Sequence, residues 1–256
     1  MARALTKTAD EIAGMRLAGR IAARVLRRAA GLVTPGVTGR DLDRQVGEII
    51  LQEGATSAFL GYRGFPGNCC LSVNEAVIHG IGSERRLQFG DLVKLDIGVR
   101  FRGFVGDVAM TVACGGCGPE AQKLMDVTAR SLYEGISQAR SGRAVNEIGR
   151  AVQEVVEQAG FGVVREFCGH GVGRAVHEEP QIPNYVDRQR HERLRAGMTI
   201  AIEPMVTLGS PRVEILRDRW TVVTLDRQLA AHFEHTVLVT DGEPEILTRD
   251  EQAPLY

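Results

Sequence analysis

The chain has 256 residues, of which 44% are hydrophobic and 25% charged, and its formal net charge is −1. This composition is typical of a globular protein, and no apolar run is long enough to cross a bilayer. The near-zero charge gives no overall attraction to nucleic acid or anionic membrane. We therefore predict a cytoplasmic protein with neither a nucleic-acid nor a membrane partner. The five cysteines, an odd number, indicate no disulfide framework.

The first part of the chain reads as two helices followed by strands. Thr8 and Glu11 form a capping-box pattern ahead of an apolar stripe at helical spacing, which ends at Gly31. A second helix is predicted from Thr38 to Gly54. A glycine-rich loop follows, and strands are predicted at 70–79, 91–101 and 104–113.

The second part repeats this order. Pro119 is expected to begin a helix that runs to about Ala139, and Ala144 to Ala159 reads as another. Strands are predicted at 163–168, 198–208, 219–225 and 231–240, and the polar, Arg-rich segment 184–195 reads as a surface loop. Helices followed by strands, twice, predict one α+β domain over 1–256, with similar halves at about 5–115 and 118–250.

Acidic residues occupy matched positions in the two halves. Asp96 lies six residues after Gly90, and Glu203 lies six residues after Gly197. Asp107 and Glu234 each begin a further strand-like run. Because alternate residues of a strand share a face, each half can direct two acids inward.

Four carboxylates and one imidazole form the candidate metal site: Asp96, Asp107, His170, Glu203 and Glu234. This oxygen-rich set suits two divalent ions, because converging carboxylates without cations would repel one another strongly. Two metals that share a water indicate a hydrolase. The alternative for any single acid is an ordinary ion pair, such as Asp96 with Lys94. Recurrence in matched settings favours the metal site.

Histidines supply further candidates. His170 lies among glycines, which permit close approach of the backbone, whereas His79 and His177 are candidates that, taken singly, read more readily as structural. His191, His232 and His235 are assigned as surface or supporting residues. Cys114 and Cys117 form a C-x-x-C pair that reads as part of a turn, because no second pair accompanies it.

The motifs together resemble the bacterial type I methionine aminopeptidases over nearly the whole chain. They are Asn74-Glu75 with His79-Gly80, Lys94-Leu-Asp96-Ile-Gly98, Gly106-Asp107, Gly169-His-Gly-Val-Gly173, His177-Glu-Glu-Pro180, Ile202-Glu-Pro-Met205, Asp226 and Glu234-His-Thr236. The resemblance implies the pita-bread fold, in which two pseudo-symmetric α+β halves surround a curved antiparallel sheet with helices on its outer face.

The resemblance also implies a role for each ligand. Asp96 would bind one ion, His170 and Glu203 the other, and Asp107 and Glu234 would bridge both. Glu203 would in addition move a proton, while His79 and His177 would bind the substrate and stabilise the tetrahedral intermediate. Cobalt, manganese, iron and zinc all accept such ligands, so the sequence leaves the identity of the two ions open.

The implied reaction is removal of the initiator methionine from nascent polypeptides by metal-activated water, with a preference for a small second residue. The matching positions for the methionine pocket are Tyr62, Phe65, Cys70 and Trp220, each of which could equally be a core residue. By the same resemblance we expect a monomer that acts on nascent chains near the ribosome.

The chain departs from the family at four positions near these motifs. Arg63 replaces a common His, Phe59 a Cys found in some members, Val176 an aromatic residue, and Gly82 a frequent Pro. None of them removes a ligand, but they leave the shape of the pocket open. Two alternatives remain: a proline-specific aminopeptidase or dipeptidase on the same fold, and a non-catalytic pita-bread binding protein.

Overall fold

The computed structural model describes residues 6–250, so the ends of the predicted 1–256 domain lie outside the described residues. The helices are α1 (Ala9–Ala30), α2 (Gly39–Gln52), α3 (Pro119–Ser137) and α4 (Val145–Gln158). The strands are β1 (Thr56–Ser57), β2 (Cys70–Val73), β3 (Ala76–Ile78), β4 (Leu92–Phe101), β5 (Phe104–Ala113), β6 (Gly162–Val163), β7 (Gly169–Gly171), β8 (Glu178–Ile182), β9 (Thr199–Ile202), β10 (Met205–Thr207), β11 (Val213–Ile215), β12 (Val222–Thr224), β13 (Ala230–His232), β14 (Glu234–Leu238) and β15 (Glu245–Ile246).

The helices begin where the sequence predicts. The Glu11 amide donates to Thr8 Oγ1 at 3.3 Å, and the Thr8 amide donates back to Glu11 Oε2 at 3.0 Å, which completes the capping box of α1. Thr38 accepts from the Asp41 amide and caps α2. Pro119 occupies the first turn of α3, where its missing N–H costs nothing. The four predicted helices are confirmed.

The central sheet is antiparallel and has the strand order β1-β4-β5-β14-β9-β7-β8, with β2 beside β4 and β15 beside β14. Strands from the first part of the chain fill one side and strands from the second part fill the other. The two parts meet where β5 pairs with β14. One buried cluster joins α1 and α2 to the first side, and another joins α3 and α4 to the second. The predicted α+β class is confirmed.

Three strands predicted as continuous are interrupted. The 70–79 segment turns at Asn74, which has a left-handed φ of 55°, and 231–240 breaks at Phe233. The 198–208 segment breaks at Glu203 and Pro204, because proline cannot donate to a strand ladder. Strands β7 and β8 were not predicted, since glycines and charged residues carry little strand signal. No helix in the 6–250 region is long and apolar enough to cross a membrane.

Lys94 is buried within β4 and is only 1% exposed. Its ammonium donates to the carbonyl oxygens of Asn74 at 2.7 Å and Ala230 at 3.2 Å. Burial lowers the pKa of Lys94 to about 7. The ammonium group of Lys94 therefore joins the turn before β3 to β13. It is committed to these carbonyl oxygens, so an ion pair with Lys94 does not explain the presence of Asp96.

Helix α1 lies directly on β5 at Gly106. A Cβ at Gly106 would lie 2.4 Å from the Ala18 carbonyl oxygen, so only glycine allows this approach. The contact presses β5 against the helix immediately before Asp107.

Gly106→Ala should lower the free energy of unfolding by about 1–3 kcal/mol, because the backbone of α1 must move to admit the methyl group. Gly242→Ala is the control, since a Cβ there has no atom within 4 Å. Both changes alter the unfolded chain alike, so urea denaturation isolates the packing cost. Equal stability of the two variants would contradict the close-packing argument.

Candidate metal centre

Adjacent strands bring the predicted acids into one row. Ala109 of β5 pairs with Asp96 of β4 on one side and with Glu234 of β14 on the other. Asp107 lies two residues before Ala109 and therefore shares its face. On the far side of β14, His235 pairs with Ile202, which places Glu203 beside Glu234. The seam between the two parts of the chain thus carries all four carboxylates.

His170 reaches the same point from β7. Its Nε2 lies 3.4 Å from Glu203 Oε1 and 3.9 Å from Asp107 Oδ2. Ligand atoms of Asp107, His170 and Glu234 all lie within 4.8 Å of one another. The His170 Nδ1 is 2.9 Å from the Gly171 carbonyl oxygen. Because that carbonyl can only accept, Nδ1 carries the proton and Nε2 presents a lone pair to the acids.

The donor set fits a divalent metal. Within residues 6–250, Asp96 Oδ1, Asp107 Oδ1 and Glu234 Oε1 are buried without a hydrogen-bond partner. Burial raises the pKa of Asp96 to about 7. Burial, and then the neighbouring carboxylates, raise the pKa values of Asp107, Glu203 and Glu234 well above their ordinary values. Such a cluster is stable in its charged form only when a cation compensates it.

Hydrogen bonds to the backbone hold these acids in place. Thr236 Oγ1 donates to the Asp107 carbonyl at 2.7 Å and accepts from the Asp107 amide at 3.2 Å. Asn184 Nδ2 donates to the Glu203 carbonyl at 3.0 Å. The carboxylates are thereby left free while their main chain is fixed. The roles of Thr236 and Asn184 were not predicted, although Thr236 lies within a quoted motif.

A cavity of about 610 Å³ opens above this centre. All the predicted metal, catalytic and substrate-binding residues line it: Tyr62, Phe65, Cys70, His79, Asp96, Asp107, His170, His177, Glu203, Trp220 and Glu234. Phe65 and Trp220 meet edge to face, with ring centroids 5.1 Å apart, and form an apolar wall. The structure brings the predicted site together, and the role of each residue stays a prediction.

The two candidate substrate histidines differ in setting. The exposed His177 has its Nδ1 2.9 Å from the Tyr62 hydroxyl, and its ring centroid is 4.3 Å from that of His170. His79 has a left-handed φ of 55° and packs edge-on against Phe167. Burial, followed by the nearby His177, lowers the pKa of His79 to about 4. Both imidazoles can therefore act as neutral hydrogen-bonding groups.

Of the two alternatives for His232 and His235, the structure excludes the surface position and leaves the supporting one, whereas His191 is exposed. Both residues are buried beside Glu234. His235 Nδ1 is 2.9 Å from Thr248 Oγ1. His232 Nε2 lies 3.9 Å from Glu203 Oε2, and neither of its ring nitrogens has a hydrogen-bond partner in the part of the chain that is described. Their position next to Glu234 was the signal available in the sequence.

Of the four departures noted in the sequence, Phe59 and Arg63 line the cavity. Phe59 lines it and packs on Gly98, while Val176 is buried in the same apolar cluster. A Cβ at Gly82 would lie 2.6 Å from the Gly39 carbonyl oxygen, so a proline would not fit there without a shift. The Cys114 and Cys117 pair lies between β5 and α3, as the turn interpretation expects, and is absent from the described lining of the cavity.

Comparison with known proteins agrees with this geometry. A model of metallopeptidase family M24 matches residues 13–241. Methionine aminopeptidase 1 of Bacillus subtilis is 44% identical over 245 residues, which cover 96% of this chain and 99% of that protein. The crystal structure of a methionine aminopeptidase from Thermotoga maritima is 40% identical with a TM-score of 0.94, and the match covers 97% of this chain and all of that one.

A more distant neighbour shares the fold alone. The prolidase from Pyrococcus furiosus is 24% identical with a TM-score of 0.79, and the match covers 97% of this chain but 66% of that one. These neighbours confirm the expected pita-bread fold. The match to the family model and the full-length relatives establish that the chain belongs to metallopeptidase family M24.

Proposed function

We propose that this protein removes the N-terminal methionine from polypeptides by hydrolysis of the first peptide bond. The observation that carries the proposal is the cavity, which joins a cluster of four acids and His170 to an apolar wall of aromatic residues. The full-length relatives at 44% and 40% identity, named methionine aminopeptidases, support it.

Two divalent ions are proposed for this centre. Asp96 would bind one ion, His170 and Glu203 the other, and Asp107 and Glu234 would lie between them. When bound, the ions would lower the pKa of a shared water and supply hydroxide near neutral pH. The oxygen-rich set accepts cobalt, manganese, iron or zinc.

Glu203 is the proposed proton carrier. It lies beside His170 and His232, and its main chain is held by Asn184. Burial and neighbouring acids raise its pKa, so its carboxylate can accept a proton from water and donate it to the leaving amine. His79 and His177 would bind the peptide carbonyl, where neutral imidazoles can donate hydrogen bonds to the developing oxyanion.

The methionine side chain would occupy the wall formed by Tyr62, Phe65, Cys70 and Trp220. Phe65 and Cys70 are buried and Trp220 is partly exposed, which gives an apolar recess that opens to solvent on one side. Nascent polypeptides near the ribosome are the proposed substrates, with a small second residue preferred. We further propose a monomer in the cytoplasm.

The two alternatives are less well supported. A proline-specific peptidase has the fold in its favour, but the prolidase neighbour is covered to only 66% of its length and is the more distant in sequence. A non-catalytic binding protein would not need a buried, partnerless set of carboxylates.

Substrate and metal can be tested together. The purified protein should cleave Met-Ala-Ser and leave Ala-Pro peptides intact. EDTA should abolish turnover, and single metals added back should restore it to different extents. A preference for Ala-Pro would instead support the proline-specific alternative, and protein that binds no divalent ion would support the binding module.

Asp107→Asn should reduce kcat/KM by about 100-fold or more, because a neutral amide cannot replace a carboxylate between two cations. Circular dichroism should remain that of the wild type, and bound metal measured by elemental analysis should fall. Asp126→Asn, on the surface of α3, is the matched control and should change neither quantity. Normal turnover by the Asp107→Asn variant would exclude Asp107 as a bridging ligand.

His177→Ala should lower kcat by about 100-fold through loss of one donor to the oxyanion, with normal metal content. His191→Ala removes an exposed histidine elsewhere and should leave turnover unchanged. If the His177→Ala variant instead loses metal, His177 acts as a ligand and the proposed role is wrong.

A further inference from the structure

Arg63 is the one permanent cation in the described lining of the cavity. Apart from Tyr62 and the histidines and cysteines, the other ionisable residues in this lining are acids: Asp96, Asp107, Glu166, Glu178, Glu179, Glu203 and Glu234. Within this group Glu178 is already compensated, since Lys7 Nζ lies 2.8 Å from its carboxylate. A single exposed arginine among acids is therefore placed to interact with a ligand that enters the cavity.

The turn that carries Arg63 fixes the backbone position from which its side chain extends. Arg63 has a left-handed φ of 49° and lies between Gly61 at 80° and Gly64 at 87°. Its guanidinium stacks over the Tyr62 ring, 5.3 Å from the centroid. The Tyr62 hydroxyl in turn contacts His177. The guanidinium thus lies beside Tyr62 of the proposed methionine wall, and Tyr62 links it to the proposed substrate-binding His177.

The N–H groups of the Arg63 guanidinium have no partner among the described residues. In the 6–250 region, Arg63 makes no hydrogen bond or ion pair with protein groups, and its ring contact uses only one face. Five N–H donors consequently remain available at the mouth of the cavity. Their planar arrangement matches a carboxylate, which an arginine can bind through two parallel hydrogen bonds.

The proposed reaction defines which part of the substrate reaches this point. Methionine would fill the aromatic wall, and the second residue must be small. The following residues leave the cavity in an extended chain that advances about 3.3–3.6 Å per residue. The third and fourth residues are therefore the first whose side chains can carry charge past Arg63.

We propose that Arg63 is a specificity-determining residue that favours substrates with Asp or Glu at the third or fourth position. This inference rests on the proposed aminopeptidase function and names the substrate class that the site prefers. The interaction is partly solvated, so we expect it to be modest, about two- to fivefold in kcat/KM for each charge.

The test compares Met-Ala-Asp-Ser, Met-Ala-Lys-Ser and Met-Ala-Ser-Ser peptides, and a second set with the charge at position four. In wild type at low ionic strength, the Asp peptide should exceed the neutral Ser peptide by about two- to fivefold, and the Lys peptide by about four- to 25-fold, because Asp and Lys differ by two charges. High salt should reduce this ratio, because exposed charges are screened. Arg63→Gln should bring the ratio to one or below, since only acids then remain at the mouth, and Arg63→Lys should retain most of it.

Arg102 provides a matched control. It also has a φ of 49° and stacks on a neighbouring ring, with its guanidinium 5.2 Å from the Phe101 centroid, but it lies outside the described lining of the cavity. Arg102→Gln should keep the wild-type ratio. Thermal melting of each variant identifies any loss of fold, and Arg63→Lys keeps the proposal testable if Arg63→Gln is unstable.

The outcomes separate this inference from the proposed function. If no Met-Ala peptide is cleaved by metal-loaded wild type, the aminopeptidase function itself is wrong. If all are cleaved but the ratio between Asp and Lys peptides is the same in wild type and Arg63→Gln, the role of Arg63 is overturned. A ratio that changes equally in Arg102→Gln would also overturn it, because the effect would then be a general one of net charge.

Discussion

Mutual repulsion among four buried carboxylates is the constraint on which this site depends. Asp96, Asp107 and Glu234 lie on adjacent strands, and Glu203 directly follows the next one. Burial raises the pKa values of all four acids, and neighbouring carboxylates raise those of Asp107, Glu203 and Glu234 further. Several of their oxygens have no donor among the described residues. Little water reaches a buried row, so the acids can all be charged at once only when bound cations compensate them.

The fold supports this arrangement by fixing the main chain rather than the carboxylates. Thr236 joins β5 to β14 beside Asp107, Asn184 holds the carbonyl of Glu203, and Lys94 joins the turn at Asn74 to β13. Each bond uses a backbone group as one partner, so it leaves the acid oxygens uncommitted. A rigid frame with free ligand atoms is the arrangement that metal geometry demands, because distances must be kept to within a few tenths of an ångström.

Most of the fold and the set of candidate metal ligands could be predicted from the sequence. Helix α1 follows from local capping and an apolar stripe, both of which are short-range signals. The pairing of Ala109 with both Asp96 and Glu234 could not be derived from spacing, since it joins residues 125 positions apart. The resemblance to a known family supplied that step. The sequence left His232 as either a surface or a supporting residue, because burial of a polar residue at a strand end leaves no periodic pattern.

The four departures noted in the sequence, Phe59, Arg63, Val176 and Gly82, lie in loops and turns, outside the strands that carry the acids. Phe59, Arg63 and Val176 surround the mouth or the apolar cluster beneath it, and Gly82 lies on the backbone of Gly39. The strands bearing the acids are mostly buried, and a change of volume in their packed residues is costly. Arg63, by contrast, is exposed on a turn, where substitution costs little stability. The two parts of the site therefore face different constraints: the row of acids is fixed by packing and charge, whereas the mouth can change its charge without disturbing the metal centre beneath it.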